Sequence, residues 1–303
     1  MVPWTTSIVG VLIVVWTLRE VFLDLFQPSG SGSLSAFLGR AIFQLSKHVP
    51  STMRVSGPLC IVVVIACWAF LVAAGFALIY WSSFPYAFHL AEQQAPGIQN
   101  KLWAVFYFSL GSLTTLSSAE IVPRGNVLRM LAACESLIGQ SLVTASITWI
   151  VLIYPALGRM RALSRRTSNL VRAEQQTGLS ALSGGAESIL VDFAASITRT
   201  RVDFIHFPLI YYFHADTEGA SLARSLCNLT KLAELGRNRE NSEPTRLAGA
   251  MLSNAISDIA ALLSAKFVSN VDGQSPSAVF QAVGRDHLEE DLELSVKRDS
   301  KVN

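Results

Sequence analysis

YFSLGSLTTLSSAEIVP, residues 107–123, decides how this chain folds. Its first half closes an apolar run, LWAVFYFSLGSLTT, that extends from Leu102 to Thr115, about 14 residues. A helix needs about 20 apolar residues to cross the hydrocarbon core of a bilayer, so this run predicts a re-entrant or buried half-helix. The stretch SSAEIVPRGN, beginning at Ser117, is polar and irregular. Backbone of that kind is tolerated at membrane depth only where protein or a water-filled cavity satisfies its polar groups.

The flanking sequence supplies the membrane. The chain of 303 residues is 51% hydrophobic and 15% charged, with a mean hydropathy of +0.41, against about 25% charged in average globular domains. Val2 to Phe26 holds the uncharged centre SIVGVLIVVWTL; Val55 to Trp81 has no charge; Leu128 to Tyr154 holds a single acid, Glu135. These three runs predict spans. The first lacks a basic n-region and a small-residue cleavage site, so it reads as a retained helix. Arg19, Glu20 and Asp24 at its far end are expected to pair near the interface. The net charge of +2 gives no argument for nucleic acid. Cys60, Cys67, Cys134 and Cys227 show neither metal-ligand spacing nor a small-scaffold disulfide pattern.

Orientation depends on basic residues in the loops. Arg40, Lys47 and Arg54 lie between the first two spans, and Arg159, Arg161, Arg165, Arg166 and Arg172 come after the third. Ser82 to Asn100 has no Lys or Arg. The expectation is a multi-pass protein of the cell (inner) membrane with its N-terminus outside, its C-terminus cytoplasmic and the half-helix entering from outside. Trp4, Tyr80, Trp81 and Trp103 fall at the outer aromatic belt, Tyr154 near the inner one. One loop cannot enclose a pore, so copies around a symmetry axis are implied. The partially negative C-terminal end of each half-helix then favours a cation at the centre.

Residues 107–123, together with the downstream run RMLAACESLIGQSLVTASITWIV, resemble the pore loop and inner helix of two-transmembrane potassium channels. From FLDLFQPSGSGSLSAFLGR through GPLCIVVVIACWAFLVAAGFALIYW to IYPALGRMRAL, the chain is similar to bacterial members of that family with one extra N-terminal helix. The likeness covers roughly the first 165 residues. It implies a homotetramer in the lipid bilayer, a permeant monovalent cation (K⁺ or Na⁺), and no cofactor, resident metal or catalytic residue. It also implies roles by position. Thr114 and Thr115 open the filter, and Thr115 matches the threonine of the inner ion site. Leu116 matches a valine. Ser117, Ser118 and Ala119 stand where Gly, Tyr and Gly are expected, and Glu120 replaces the acid at the outer mouth. Gly139 matches a gating-hinge glycine, and Glu135, one turn earlier, an acid behind the pore loop.

The missing glycines carry a physical consequence. A potassium filter lines its axis with backbone carbonyls, which requires left-handed residues that glycine adopts freely. A residue with a Cβ loses about 1–2 kcal/mol there. Two such positions in four subunits amount to roughly 8–16 kcal/mol, comparable to a whole protein's stability of about 5–15 kcal/mol. An unmodified filter is therefore disfavoured. Three arrangements remain. The loop can widen and select partly hydrated cations with Ser117, Ser118 and a Glu120 ring; partner subunits with intact filters can complete the ring; or the loop can collapse. The reading is passive cation conduction with relaxed selectivity; the alternative is a non-conducting, channel-derived assembly or sensor protein. Gly139, Gln140, Ser141, Thr144, Ser146 and Thr148 make the inner helix polar enough to line water, and Glu135 is expected to bond Thr114 or Ser112.

The fold expected is an all-α membrane protein: an N-terminal transmembrane helix (1–26), a cytoplasmic linker (27–54), a pore domain (55–156, with outer helix 55–82, pore helix and loop 101–123, inner helix 128–156), a helical cytoplasmic domain (157–270) and a disordered tail (271–303). In the cytoplasmic half, helical spacing links Ile189, Phe193, Ile197 and Phe204, and amphipathic helices are expected near 220–235 and 245–267. HFPLIYYFH, residues 206–214, reads as a packed aromatic run. His206 and His214 lack a clustered carboxylate or cysteine, so no metal site is expected. No Gly-rich strand-to-helix turn and no nucleophile–base pair points to an enzyme. Nothing in this half identifies a ligand.

Overall fold

The computed structural model describes residues 4–26, 32–48, 53, 55–90, 100–116, 120–182, 186–214, 221–268, 271 and 273–287. The helices are α1 (Trp4–Phe26), α2 (Ser33–Lys47), α3 (Ser56–Trp81), α4 (Lys101–Leu113), α5 (Asn126–Thr177), α6 (Ala186–His206), α7 (Leu222–Gly236), α8 (Glu243–Lys266) and α9 (Pro276–Asp286). Two short strands, β1 (Phe88–Leu90) and β2 (Ile121–Pro123), flank α4. The fold is that of an all-α membrane protein built around a pore loop. Chain contacts divide it into two compact units, residues 1–39 with 59–152 and residues 40–58 with 153–303.

In the first unit, α1 and α3 pack through small residues, the usual means of close approach between membrane helices. A Cβ added at Gly10 would lie 2.4 Å from the Gly75 carbonyl oxygen. The remaining sides of α1 expose Trp4, Ile8, Leu12, Val15, Trp16 and Phe22. The core gathers Val72, Phe76, Tyr80, Phe84, Phe88, Val105, Phe108, Leu113 and Ile121, so the half-helix α4 is packed into it rather than lying on a surface. The acids at the end of α1 do pair, though mainly with the start of α2. Glu20 accepts from the Leu34 amide at 3.0 Å and Asp24 from the Gly32 amide at 2.6 Å. Arg19 also reaches Glu20 at 3.4 Å.

By length and composition, Ser56–Trp81, Asn126–Thr177 and Glu243–Lys266 are apolar enough to cross a membrane. The expected first span, α1, is a 23-residue helix that is not among them. Its ionisable residues all lie in its second half. Helix α8 is among them for a different reason. It buries Leu252, Ile256, Ile259 and Leu263 on one face while Arg246 and Asp258 stay exposed on the other, the pattern of a bundle helix.

That bundle is the second unit. Helix α6 contributes Leu190, Phe193, Ile197 and Phe204, α7 Leu226 and Leu229, and α9 Phe280. Ser221, Ser242 and Ser275 cap α7, α8 and α9 by accepting a backbone N–H at the third residue beyond each. Pro208–Tyr212 forms a 3₁₀ turn whose Tyr211 ring stacks on Phe267 at 4.2 Å and whose hydroxyl donates to Asp286 at 2.6 Å. Asp286 also pairs with Lys47. Arg159 grips Asp203 with two bonds of 2.8 and 2.6 Å.

Two helices lie inside stretches for which none was expected: α2 within 27–54, read as a linker, and α9 within 271–303, read as a tail disordered at least in part. Short local sequence carried weak signals for both; their stability comes from distant partners that bury Phe43 of α2 and Val279, Phe280 and Val283 of α9. The acidic stretch after His287 lies outside the described residues.

Candidate ion pathway

Helix α4 spans 13 residues, about 20 Å at 1.5 Å per residue, too short for a hydrocarbon core of about 30 Å. Asn100 caps its start by accepting from the Leu102 amide. Its buried face is Val105, Phe108, Ser109 and Leu113. Two neighbouring helices hold it. Ser109 reaches the Ala73 carbonyl of α3 at 2.8 Å and the carboxyl of Glu135 on α5 at 2.5 Å. Ser109 has one proton for these two acceptors. Tyr80 of α3 donates to the other Glu135 oxygen at 2.9 Å. Glu135 is fully buried and therefore joins all three helices at one point. The expected partners Thr114 and Ser112 are not its own; the neighbouring Ser136 takes the Ser112 carbonyl instead, at 2.7 Å. The glutamate points one turn deeper along α4 than position alone suggested.

Gly139 lies against the end of the half-helix. A Cβ there would sit 1.9 Å from the Leu113 carbonyl oxygen, so only glycine lets α5 approach this closely. Past that contact the helix stops. Thr114 closes it with its amide and its hydroxyl both donating to Leu110. Thr115 turns into the left-handed region at φ +60°, and its hydroxyl donates to the Thr114 carbonyl at 2.6 Å. Leu116 is exposed. Ser117, Ser118 and Ala119 lie outside the described residues. Glu120 comes next, half-buried, at the foot of β2.

The loop exit is fixed by an element the sequence did not announce. Strands β1 and β2 pair antiparallel, Phe88 opposite Pro123 and Leu90 opposite Ile121. The Arg124 amide donates to the Ala87 carbonyl, and the Arg129 side chain to the Pro123 carbonyl. Three residues a side are too few to show an alternating pattern; the one available hint was the β-branched pair Ile121–Val122. Between α4, the loop exit and α5 lies a recess of about 320 Å³, whose lining includes Ser112, Thr115, Leu116, Ile121 and Ser136.

The polar residues of α5 separate by burial. Gly139 and Ser146 are buried against the unit, whereas Gln140, Ser141, Thr144 and Thr148 are exposed on one side. The hydroxyls of Ser141, Thr144 and Thr148 bond the carbonyls four residues earlier, which satisfies them within the helix while leaving their lone pairs outward.

Residues 59–154 match the ion-channel family, of the two-transmembrane pore-loop type. Over 214 residues, 68% of this chain, the sequence is 22% identical to YdjJ, an uncharacterized membrane protein of Bacillus subtilis (strain 168). The matched stretch spans 60% of that protein's length. No solved structure matches the chain.

Proposed function

We propose, on the premise that residues 59–154 form an ion-channel domain, that the protein is a homotetrameric pore passing monovalent cations with relaxed selectivity between K⁺ and Na⁺. The observation that carries this reading is the end of α4. A half-helix braced on two sides delivers its carbonyl terminus to a loop that turns at once into the left-handed region at Thr115. The negative end of the helix dipole favours a cation beyond it. Thr115 already occupies a conformation costing an L-residue about 1–2 kcal/mol. Extending the same geometry through Ser117 and Ala119 would repeat that cost, so the loop opens instead. The recess behind Thr115 and Leu116 gives it room.

In this reading the Thr114 and Thr115 carbonyls face the inner ion. Leu116, Ser117, Ser118 and Ala119 line a wider passage, and a ring of Glu120 concentrates cations at the mouth. Gln140, Ser141, Thr144 and Thr148 border a wet vestibule. Glu135 and Gly139 shape the pathway without touching the ion; bending at Gly139 moves the carbonyl it supports. The basic segments support a C-terminal bundle on the cytoplasmic side, and this reading puts the pore in the inner membrane.

The test is flux through purified protein in liposomes, comparing K⁺, Na⁺ and a large impermeant cation. Comparable K⁺ and Na⁺ flux, reduced by Glu120→Gln, is the expected result. K⁺ flux alone refutes the widened loop. Absence of flux from protein shown to be tetrameric, across voltage and pH, favours the non-conducting alternative.

A further inference from the structure

Helix α2 exposes the wrong side for a helix packed in protein alone. Its buried side carries Ser35, Gly39, Phe43 and Ser46, three of them small. Leu34, Leu38 and Ile42 are only half-buried, and Phe37 and Leu45 are 67% and 73% exposed. At 3.6 residues per turn, Leu34, Phe37, Leu38, Ala41 and Leu45 form one apolar sector beside the buried face. Ser33, Arg40 and Gln44 form the polar arc on its other side. A helix of a soluble domain buries its apolar stripe; here Phe37 and Leu45 are left outside, while three of the four buried residues are small.

The surroundings identify what covers that sector. Six residues separate α2 from the end of α1 and eight from the start of α3. At most about 3.3–3.6 Å per residue, neither link lets α2 leave the membrane surface by more than roughly 20–30 Å. Glu20 and Asp24 also hold its first turn to the last turns of α1. The helix contains no acid; Arg40 is exposed, while Lys47 is engaged by Asp286. An exposed apolar sector edged by Arg40, which has no ion pair among the described residues, matches a surface of anionic lipid.

We propose that α2 is an interfacial helix: Phe37, Ala41 and Leu45 sit at the headgroup–acyl boundary of an anionic leaflet, with Arg40 among the phosphates. The inference rests on the membrane reading of α1 and α3, and its test separates the two. Full-length protein is reconstituted in phosphatidylcholine–phosphatidylglycerol vesicles containing a lipid with a photoreactive diazirine high on its acyl chain. Trypsin cleavage after Arg40 and Lys47 then releases Ala41–Lys47 for mass spectrometry. Adducts are expected on this peptide and on peptides from α3. Adducts on α3 alone overturn the proposal and leave the membrane reading standing; adducts on neither overturn both. A second measurement places a spin label at Leu45→Cys in a chain whose four cysteines are replaced by serine. Collision with oxygen severalfold favoured over a water-soluble nickel chelate, and the reverse at Gln44→Cys, is expected. Equal access to the chelate at both positions refutes the proposal, as does shielding of Leu45→Cys from both agents, which would show that protein, including a second copy, covers the sector.

Discussion

Replacing Gly139 by alanine tests the bracing of the half-helix directly. The added Cβ would lie 1.9 Å from the Leu113 carbonyl oxygen and 2.9 Å from its carbon. Ordinary contact begins near 3.4 Å, so α5 and the end of α4 must separate by about 1.5 Å. The obstructing atoms are backbone, which cannot rotate away as a side-chain tip can. Overpacking of this kind costs about 1–3 kcal/mol, while alanine returns up to about 1 kcal/mol of helix propensity. The net expectation is a loss of about 1–2 kcal/mol per subunit, read as a fall of several degrees in the thermal unfolding midpoint of the purified protein at about 2–4 °C per kcal/mol. Flux should fall further than stability, because the displaced carbonyl immediately precedes Thr114 and Thr115. Gly158→Ala is the control: it lies in the same helix, and a Cβ there meets nothing within 4 Å, so it should be neutral or slightly stabilising. If Gly139→Ala and Gly158→Ala unfold at the same temperature with equal flux, the close approach of α5 to Leu113 is refuted.

The buried contacts around Glu135 and His287 set three further outcomes. Tyr80→Phe should cost about 0.5–1.5 kcal/mol, and adding Glu135→Gln should be clearly non-additive in a thermal double-mutant cycle, since both act through one bond. Glu135→Ala should cost more, about 1–3 kcal/mol, by leaving the buried Tyr80 hydroxyl without its acceptor, while Ser109 keeps the Ala73 carbonyl. In the C-terminal bundle, burial holds His287 well below the usual imidazole range, at about 4; nearby His214 and Lys47 push the same way and Asp286 opposes them. The unfolded chain then binds the extra proton first, so this contribution is complete above about pH 6.5 and is lost as pH falls towards 4, by up to about 3 kcal/mol. Unfolding midpoints between pH 7 and 4 should show that slope, and His287→Phe should flatten it.

Much of the architecture was legible without coordinates because a bilayer imposes simple demands. The uncharged run at 55–81 and the long run from Leu128 could hardly do anything but cross, and the short run at 102–115 could not. The expected helix over 185–206 is also there, with Phe193, Ile197 and Phe204 buried, although Leu190 rather than Ile189 is the fully buried residue at its start. Apolarity alone misleads at α8, whose composition suits a membrane but whose periodic burial shows a bundle helix. The sequence also pointed to Glu135 as a residue behind the loop, yet not to its partners. A single acid in an apolar run announces that something must satisfy it, and leaves open which of several hydroxyls on two other helices does so.

Length, charge placement and hydropathy by themselves determined that this is an all-α membrane protein with a half-helix and a polar loop, because backbone in hydrocarbon must satisfy its own hydrogen bonds. Only the tertiary structure decided how that half-helix is held. Its grip depends on Ser109 meeting Glu135, on Ser136 meeting Ser112, on a missing Cβ at Gly139 and on the pairing of β1 with β2. These are contacts between residues 24 to 35 positions apart in the chain. Local propensity has no term for them, since each is favourable only once the helices have already brought both partners together.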